Sequence, residues 1–291
     1  MTSPLQPPRR TALRTGLTLG ASMVWPHWLA AQPARTAERP DPALFQTGDL
    51  VWPKPPGAFV PYAGSPTRQL LVTEPEVREE EWNTQRVQFI RDARQQAQGL
   101  SGEERDYLLR LANTAETLSY SRFFHQYAGD VSPDDFQTYG VGELAYVGHV
   151  GLIEVDPTDQ QPYVVEAVYG RNLACTSCVQ RVPYADWLQA RGNVLVWLGR
   201  LRQLDAAQRT AVVNVAKQQL NKPYNFFNFD LSDDRGFYCS KLVWYAVKQA
   251  TGIALDGNPQ ARRLVWFSPL QAMKASSQVM LISSPGNYRN L

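Results

Sequence analysis

Histidine is the scarcest chemistry-bearing residue in this chain. Three occur among 291 residues, at His27, His125 and His149, and cysteine is as rare, at Cys175, Cys178 and Cys239. So few ligands argue against a metal centre. A zinc site on Cys175-Thr176-Ser177-Cys178 would need two more ligands from a very small pool. A thioredoxin-like centre expects its first cysteine at a helix start in a βαβ context. This pair follows a strand pattern and precedes Pro183 without helical spacing. A small loop disulfide is the remaining reading of the pair, which leaves Cys239 as the odd thiol. No single sign of charge dominates, with 29 basic against 27 acidic side chains.

A long hydrophobic run is also lacking. The most apolar stretch, Thr15 to Ala31, is short for a membrane span and is broken by Pro26 and His27. It follows Arg9-Arg10-Thr11-Ala12-Leu13-Arg14 and ends at Ala30-Ala31, the pattern of a twin-arginine export signal over residues 1–31. Cleavage there removes three arginines and no acid, leaving 26 basic and 27 acidic side chains, a net charge of −1. The mature chain then has no basic excess with which to bind nucleic acid or an anionic membrane surface. It keeps two histidines, so any histidine chemistry uses His125 or His149. The expected location is periplasmic or secreted, an oxidising setting that suits the Cys175–Cys178 disulfide.

Residues 32–44 are Pro/Ala/Arg-rich and read as a linker. Gly48-Asp49-Leu50-Val51-Trp52 reads as a turn feeding a strand, and the prolines from Pro53 to Pro66 argue against regular structure there. From Glu74 to Tyr127 the spacing is helical. Trp82, Val87, Phe89, Ile90, Ala93 and Ala97 make one apolar face. Ser101-Gly102-Glu103-Glu104 has the capping-box pattern, and Tyr107, Leu108, Leu111, Ala112, Ala115 and Leu118 make a second face. This predicts a helical hairpin ending in the cluster Tyr120, Phe123, Phe124 and Tyr127. His125 lies in that cluster and reads as a packing residue.

The second half alternates with period two. Tyr146 to Val155 and Tyr163 to Tyr169 predict an antiparallel strand pair, with Cys175–Cys178 in the loop that follows. One or two helical turns from Tyr184, a strand over Asn193 to Arg200 and a helix capped by Asp205 come next. The Cys239 helix, a short helix after Ser268-Pro269 and a last strand over Val279 to Ile282 complete the chain.

In the Cys239 helix, Cys239, Leu242, Val243, Ala246 and Ala250 form one stripe, and Gly252 ends it. A thiol in a first helical turn meets unpaired N–H groups and the positive end of the dipole, a setting that favours the thiolate. A buried structural cysteine has the same pattern. His149 is unusual among Val147, Val150 and Ile153, where an apolar residue would cost less, and Gly148 and Gly151 clear space beside it. Alone it reads equally as a satisfied core histidine. Glu166, in the middle of the next strand, reads alone as an exposed strand residue, or as the carboxylate that orients His149.

Several stretches together resemble the YiiX-like branch of the NlpC-type, permuted papain-fold cysteine hydrolases. They are Val147-Gly148-His149-Val150-Gly151-Leu152-Ile153-Glu154, Pro162 to Val168, Lys222-Pro223-Tyr224-Asn225 and Ser232 to Trp244. Gly48-Asp49-Leu50-Val51 and Phe267-Ser268-Pro269 fit the same pattern. The order histidine, acid, cysteine is that of the permuted branch. The resemblance implies an α+β, circularly permuted papain-like fold over residues 45–291, an antiparallel sheet packed on the helix that bears the cysteine. It implies Cys239 as nucleophile, His149 as general base and Glu166 as orienting acid, with no cofactor and no metal. Relatives include murein peptidases and, more distantly, acyltransferases of the lecithin:retinol type. Two features depart from the family: an inserted helical subdomain at residues 57–140, and the CxxC.

The expectation is an exported thiol hydrolase or acyl-transfer enzyme cleaving an amide or ester. The substrate would be a small molecule, a murein peptide or an N- or O-acylated lipid. Two other classes stay open. One is a non-catalytic binding module on the same fold, using the insertion as its interface. The other is a disulfide-handling protein centred on Cys175 and Cys178.

Overall fold

A six-stranded sheet in the order β6 (Thr176–Pro183), β5 (Pro162–Arg171), β4 (Gly151–Val155), β1 (Leu50–Lys54), β7 (Leu195–Leu201), β8 (Val279–Ser283), antiparallel at every pairing, forms the centre of the described unit. The computed structural model describes residues 39–54, 59–61, 79–118, 143–145, 148–171, 174–192, 194–275 and 277–283, all within the unit Thr36–Leu291. In chain order the elements are β1 (Leu50–Lys54), β2 (Phe59–Pro61), α1 (Glu79–Gln98), α2 (Gly102–Thr117), β3 (Glu143–Ala145), β4 (Gly151–Val155), β5 (Pro162–Arg171) and β6 (Thr176–Pro183). There follow α3 (Tyr184–Arg191), β7 (Leu195–Leu201), α4 (Ala206–Lys217), α5 (Cys239–Thr251), α6 (Pro269–Lys274) and β8 (Val279–Ser283). This is the α+β architecture expected. The signal segment, His125 and the aromatic cluster around it lie outside the described residues.

Alternation in the strands divides the core in two. One set, including Leu50, Trp52, Leu152, Val165, Ala167, Val179 and Trp197, packs with Val212, Val213 and Ala216 of α4 and Leu242, Val243 and Ala246 of α5. The intervening residues Val51, Ile153, Val164, Val182, Val196 and Leu198 pack with Phe45 and with Tyr184 and Trp187 of α3. Helix α5 thus lies on one face of the sheet and α3 on the other. Gly252 ends α5 in the left-handed region, φ 75°, where a side chain would be strained. Helices α4 and α6 each start with a full capping box, Asp205 with Gln208 and Ser268 with Gln271.

Helices α1 and α2 fall where the spacing puts them, and their described inner residues pack on the α5 side. Phe89 stacks on Phe227 at 5.1 Å between ring centroids, and Trp82 meets the same ring at 5.9 Å. The Tyr107 hydroxyl donates to the Arg263 carbonyl at 3.2 Å.

Several expectations need correction. Val87 does not share the apolar face; it is 51% exposed, off the line of Trp82, Phe89, Ala93 and Ala97. Ser101 is the N-cap of α2, but its side chain makes no capping bond. Pro53 and Pro61 lie inside strands. Strand β1 pairs with β4 only through Leu50 and Val51, so by Pro53 it has β7 alone as neighbour, and a missing N–H is tolerated. The residues at the end of the expected linker form a 3-10 turn, Pro42–Leu44, capped by the Asp41 side chain. Most consequentially, the loop expected to carry both cysteines is cut short by β6, which begins at Thr176 and includes Cys178.

Candidate active site

Cys239 is the first residue of α5, and its N-cap, Tyr238, supplies no side-chain hydrogen bond to the helix end. Tyr238 instead points its hydroxyl into the core, where it accepts from the Phe267 N–H at 3.1 Å. Ser240 donates to the Phe267 carbonyl at 2.5 Å, so the residues on either side of Cys239 pin the start of α5 to the segment that leads into α6. Cys239 is 2% exposed and keeps its thiol, and its Sγ lies 3.9 Å from the carbonyl oxygen of Gly148. The residue after that glycine is His149.

His149 was expected within the strand. It lies two residues before β4, which begins at Gly151. Position matters here because alternation within the strands would separate the residues of the site. Glu166 shares its side of β5 with Val164, the side that faces α3, whereas Cys239 belongs to the core on the α5 side. A histidine inside β4 would be held to one of these faces. Beyond the strand end, the Gly148 carbonyl lies beside the thiol and the ring of His149 turns to the acid. The Nε2 atom lies 2.6 Å from Oε2 of Glu166. The bond engages Nε2, and Nδ1 is the ring nitrogen turned from Glu166.

Gly151 makes the approach possible. It sits opposite Glu166 in register, and a Cβ there would come within 2.6 Å of Val164 Cγ1 and 3.5 Å of Glu166 Cβ.

Glu166 is 0% exposed and receives four donors. Besides His149, Gln180 Nε2 donates to Oε1 at 2.8 Å, Trp187 Nε1 to Oε2 at 2.7 Å and the Arg191 guanidinium to Oε2 at 2.9 Å. Burial alone would raise its pKa. The Arg191 charge, His149 and the donated hydrogen bonds outweigh burial and hold the carboxyl down at about 2. It is an anion at every physiological pH. Such an anion fixes the tautomer of a neutral imidazole and stabilises imidazolium.

Gln180, Trp187 and Arg191 were not anticipated. Gln180 carries the one available signal, a polar residue breaking the apolar pattern of Val179 and Val182 directly across β6 from Glu166. Trp187 and Arg191 come from α3, and no spacing in the sequence links that helix to Glu166.

A second buried ionisable group lies in the first turn of α5. The Lys241 ammonium donates to the Asn228 carbonyl at 3.2 Å and sits 5.5 Å from the Phe237 ring centroid. Burial lowers its pKa to about 7 against the opposing pull of Asp233 and Asp230. The aromatics Phe226, Phe227 and Trp244 are core residues. Clefts of about 1170 and 480 Å³ run along α1 and share Phe89, Asp92, Asn225 and Phe227. Neither is lined by Cys239, His149 or Glu166. Among the described residues, no group of three or more His, Cys, Asp or Glu side chains is placed to hold a metal ion.

A thiol opening a helix, beside a histidine that precedes a strand of an antiparallel sheet, with both after β1 in the chain, is the permuted papain-like arrangement. The family description "Permuted papain-like amidase enzyme, YaeF/YiiX, C92 family" matches residues 124–280, just over half of the chain, and the chain belongs to that family. It is therefore a cysteine hydrolase of the amidase class. Among solved structures it is similar to the metalloprotein yiiX from Escherichia coli O157:H7, at 22% identity and a TM-score of 0.36 over 47% of this chain and 83% of that one. No curated protein matches.

Proposed function

We propose that this protein is an exported thiol amidase working through Cys239, His149 and Glu166, with an acylated small molecule, a murein peptide or an acyl-lipid as substrate. The observation that carries the reading is the buried His149–Glu166 bond of 2.6 Å beside a thiol at a helix N-terminus. Glu166 holds Nε2, so Nδ1 takes the proton from Cys239 and the thiolate attacks the carbonyl carbon. The Cys239 backbone N–H, in the first turn of α5, donates to the oxyanion. His149 then protonates the leaving amine. Water, or an acceptor alcohol or amine in the acyl-transfer variant, releases the acyl group from sulfur. Export rests on the Arg9-Arg10 signal, and N-terminal sequencing of the secreted chain should begin at Gln32.

The test is turnover of a panel of murein stem peptides and N-acylated lipids, with intact-mass detection of an acyl adduct. Wild type is expected to show product and an adduct on Cys239. Cys239→Ala and His149→Ala should lose activity by at least about a thousandfold. Binding of a panel member with equal affinity by wild type and Cys239→Ala, and no turnover by either, would favour a binding module on this fold.

A further inference from the structure

The Cys175–Cys178 pair lies outside the proposed chemistry, yet it is joined to it through two hydrogen-bonded paths. The disulfide closes the turn that enters β6. Immediately before Cys175, the Ala174 N–H donates to Oε1 of Gln180 at 3.2 Å. A side-chain amide whose oxygen is occupied in this way must turn its NH₂ elsewhere, and Gln180 Nε2 donates to Oε1 of Glu166 at 2.8 Å. Gln180 is 2% exposed, so no solvent competes for either bond. The path continues through Glu166 to His149.

The second path runs to the other side of the site. The Ser177 carbonyl accepts from the Tyr224 N–H at 2.8 Å, and Cys178 bridges to Pro223. The Pro223 carbonyl accepts from the Phe237 N–H at 3.0 Å, two residues before Cys239. One disulfide-closed turn thus reaches both the acid that orients the histidine and the strand-like segment that leads to the thiol.

We infer that Gln180 is a positioning residue for the Glu166–His149 pair, and that the Cys175–Cys178 disulfide holds the turn that orients it. The inference rests on the Cys239–His149 reading above. Gln180 favours the Glu166 anion, the anion favours imidazolium, and imidazolium favours the Cys239 thiolate. Opening the turn frees the Ala174 N–H and lets the Gln180 amide rotate, and the whole series weakens.

The experiment needs no substrate. The rate of iodoacetamide alkylation at Cys239, read by peptide mass spectrometry, is measured from pH 5.5 to 9.5. The proteins are wild type, Gln180→Met, Cys175→Ser/Cys178→Ser and His149→Ala, each checked for folding by thermal melt. If the double serine variant does not fold, wild type reduced with a phosphine replaces it. The expected result is slowing at pH 6 by about three- to tenfold in Gln180→Met and in the open-turn protein, with rates within about twofold of wild type at pH 9.5, where the thiolate forms without help. Equal slowing at both pH values would mean that the turn controls only access, and unchanged rates would mean that it controls nothing; either overturns the inference. His149→Ala separates the two levels. If it slows alkylation at pH 6 while the other variants do not, the site reading stands and this inference alone falls. If it changes nothing, both fall.

Discussion

Two buried ionisable groups near the site make stability rise with pH, in separate pH windows. Glu166 titrates at about 2 in the folded chain against an ordinary value of 4.5. Its contribution to stability is complete above about 4.5 and is lost as pH falls towards 2, on the order of 3 kcal/mol. Glu166→Gln should flatten that acid limb in urea melts taken from pH 5 to 2. It should also cost roughly 3 kcal/mol at neutral pH, because the Arg191 guanidinium, only partly exposed, loses its counter-charge. Lys241 acts in the same direction at higher pH. Its pKa falls from 10.5 to about 7 on folding, so between those values the unfolded chain binds more protons and stability rises with pH. The charges facing it are Asp230, Asp233, Asp234 and Arg235. Lys241→Met should abolish the rise in stability between pH 7 and 10 while leaving the fold intact by circular dichroism. At the residue scale His149, Glu166 and Cys239 stand out in the sequence as misfits: a histidine in an apolar run, an acid inside a strand and a thiol at a helix start. The groups that charge and aim Glu166 do not stand out, because Trp187 and Arg191 also suit an ordinary amphipathic helix.

Among the elements, strands β4, β5 and β6 carry the site between two helices on opposite faces. The contact between β4 and β5 depends on Gly151, where a Cβ would meet Val164 Cγ1 at 2.6 Å. Gly151→Ala should destabilise the chain by about 1–3 kcal/mol in urea unfolding. It should also slow Cys239 alkylation near pH 6, since the added Cβ would lie 3.5 Å from Cβ of Glu166, which holds the His149 ring. Helices α4, α5 and α6 were legible from caps and spacing. Strand β6 was not. Thr176-Ser177-Cys178-Val179-Gln180 lacks clean alternation because Gln180 points inward to satisfy a buried carboxylate, and a local pattern cannot reveal a partner supplied by the neighbouring strand.

For the molecule as a whole, the helical hairpin α1–α2 docks on the segment that leads to Cys239, through Trp82 and Phe89 against Phe227, and on the segment after α5, through Glu104 to Arg262 at 2.5 Å. Trp82 is fully buried. Trp82→Ala should cost about 3–5 kcal/mol in urea unfolding. Amide exchange should quicken in α1 and α2, and in the 225–229 segment they cover, before it does in the sheet.

What the amino-acid sequence determined by itself was everything written in local patterns: the helices with their caps, most of the strands, the order histidine, acid, cysteine, and so the permuted fold. Short-range sterics and the periodicity of burial are properties of neighbouring residues, and they can be read in order. Only the tertiary structure decided that His149 stands beyond the end of β4, where its ring meets Glu166 while the carbonyl of Gly148 before it lies beside the Cys239 thiol. The tertiary structure likewise decided that α3 and β6 complete the acid's surroundings. Those relations depend on which faces pack together, and residues 17 to 91 positions apart meet only once the sheet has closed between its helices.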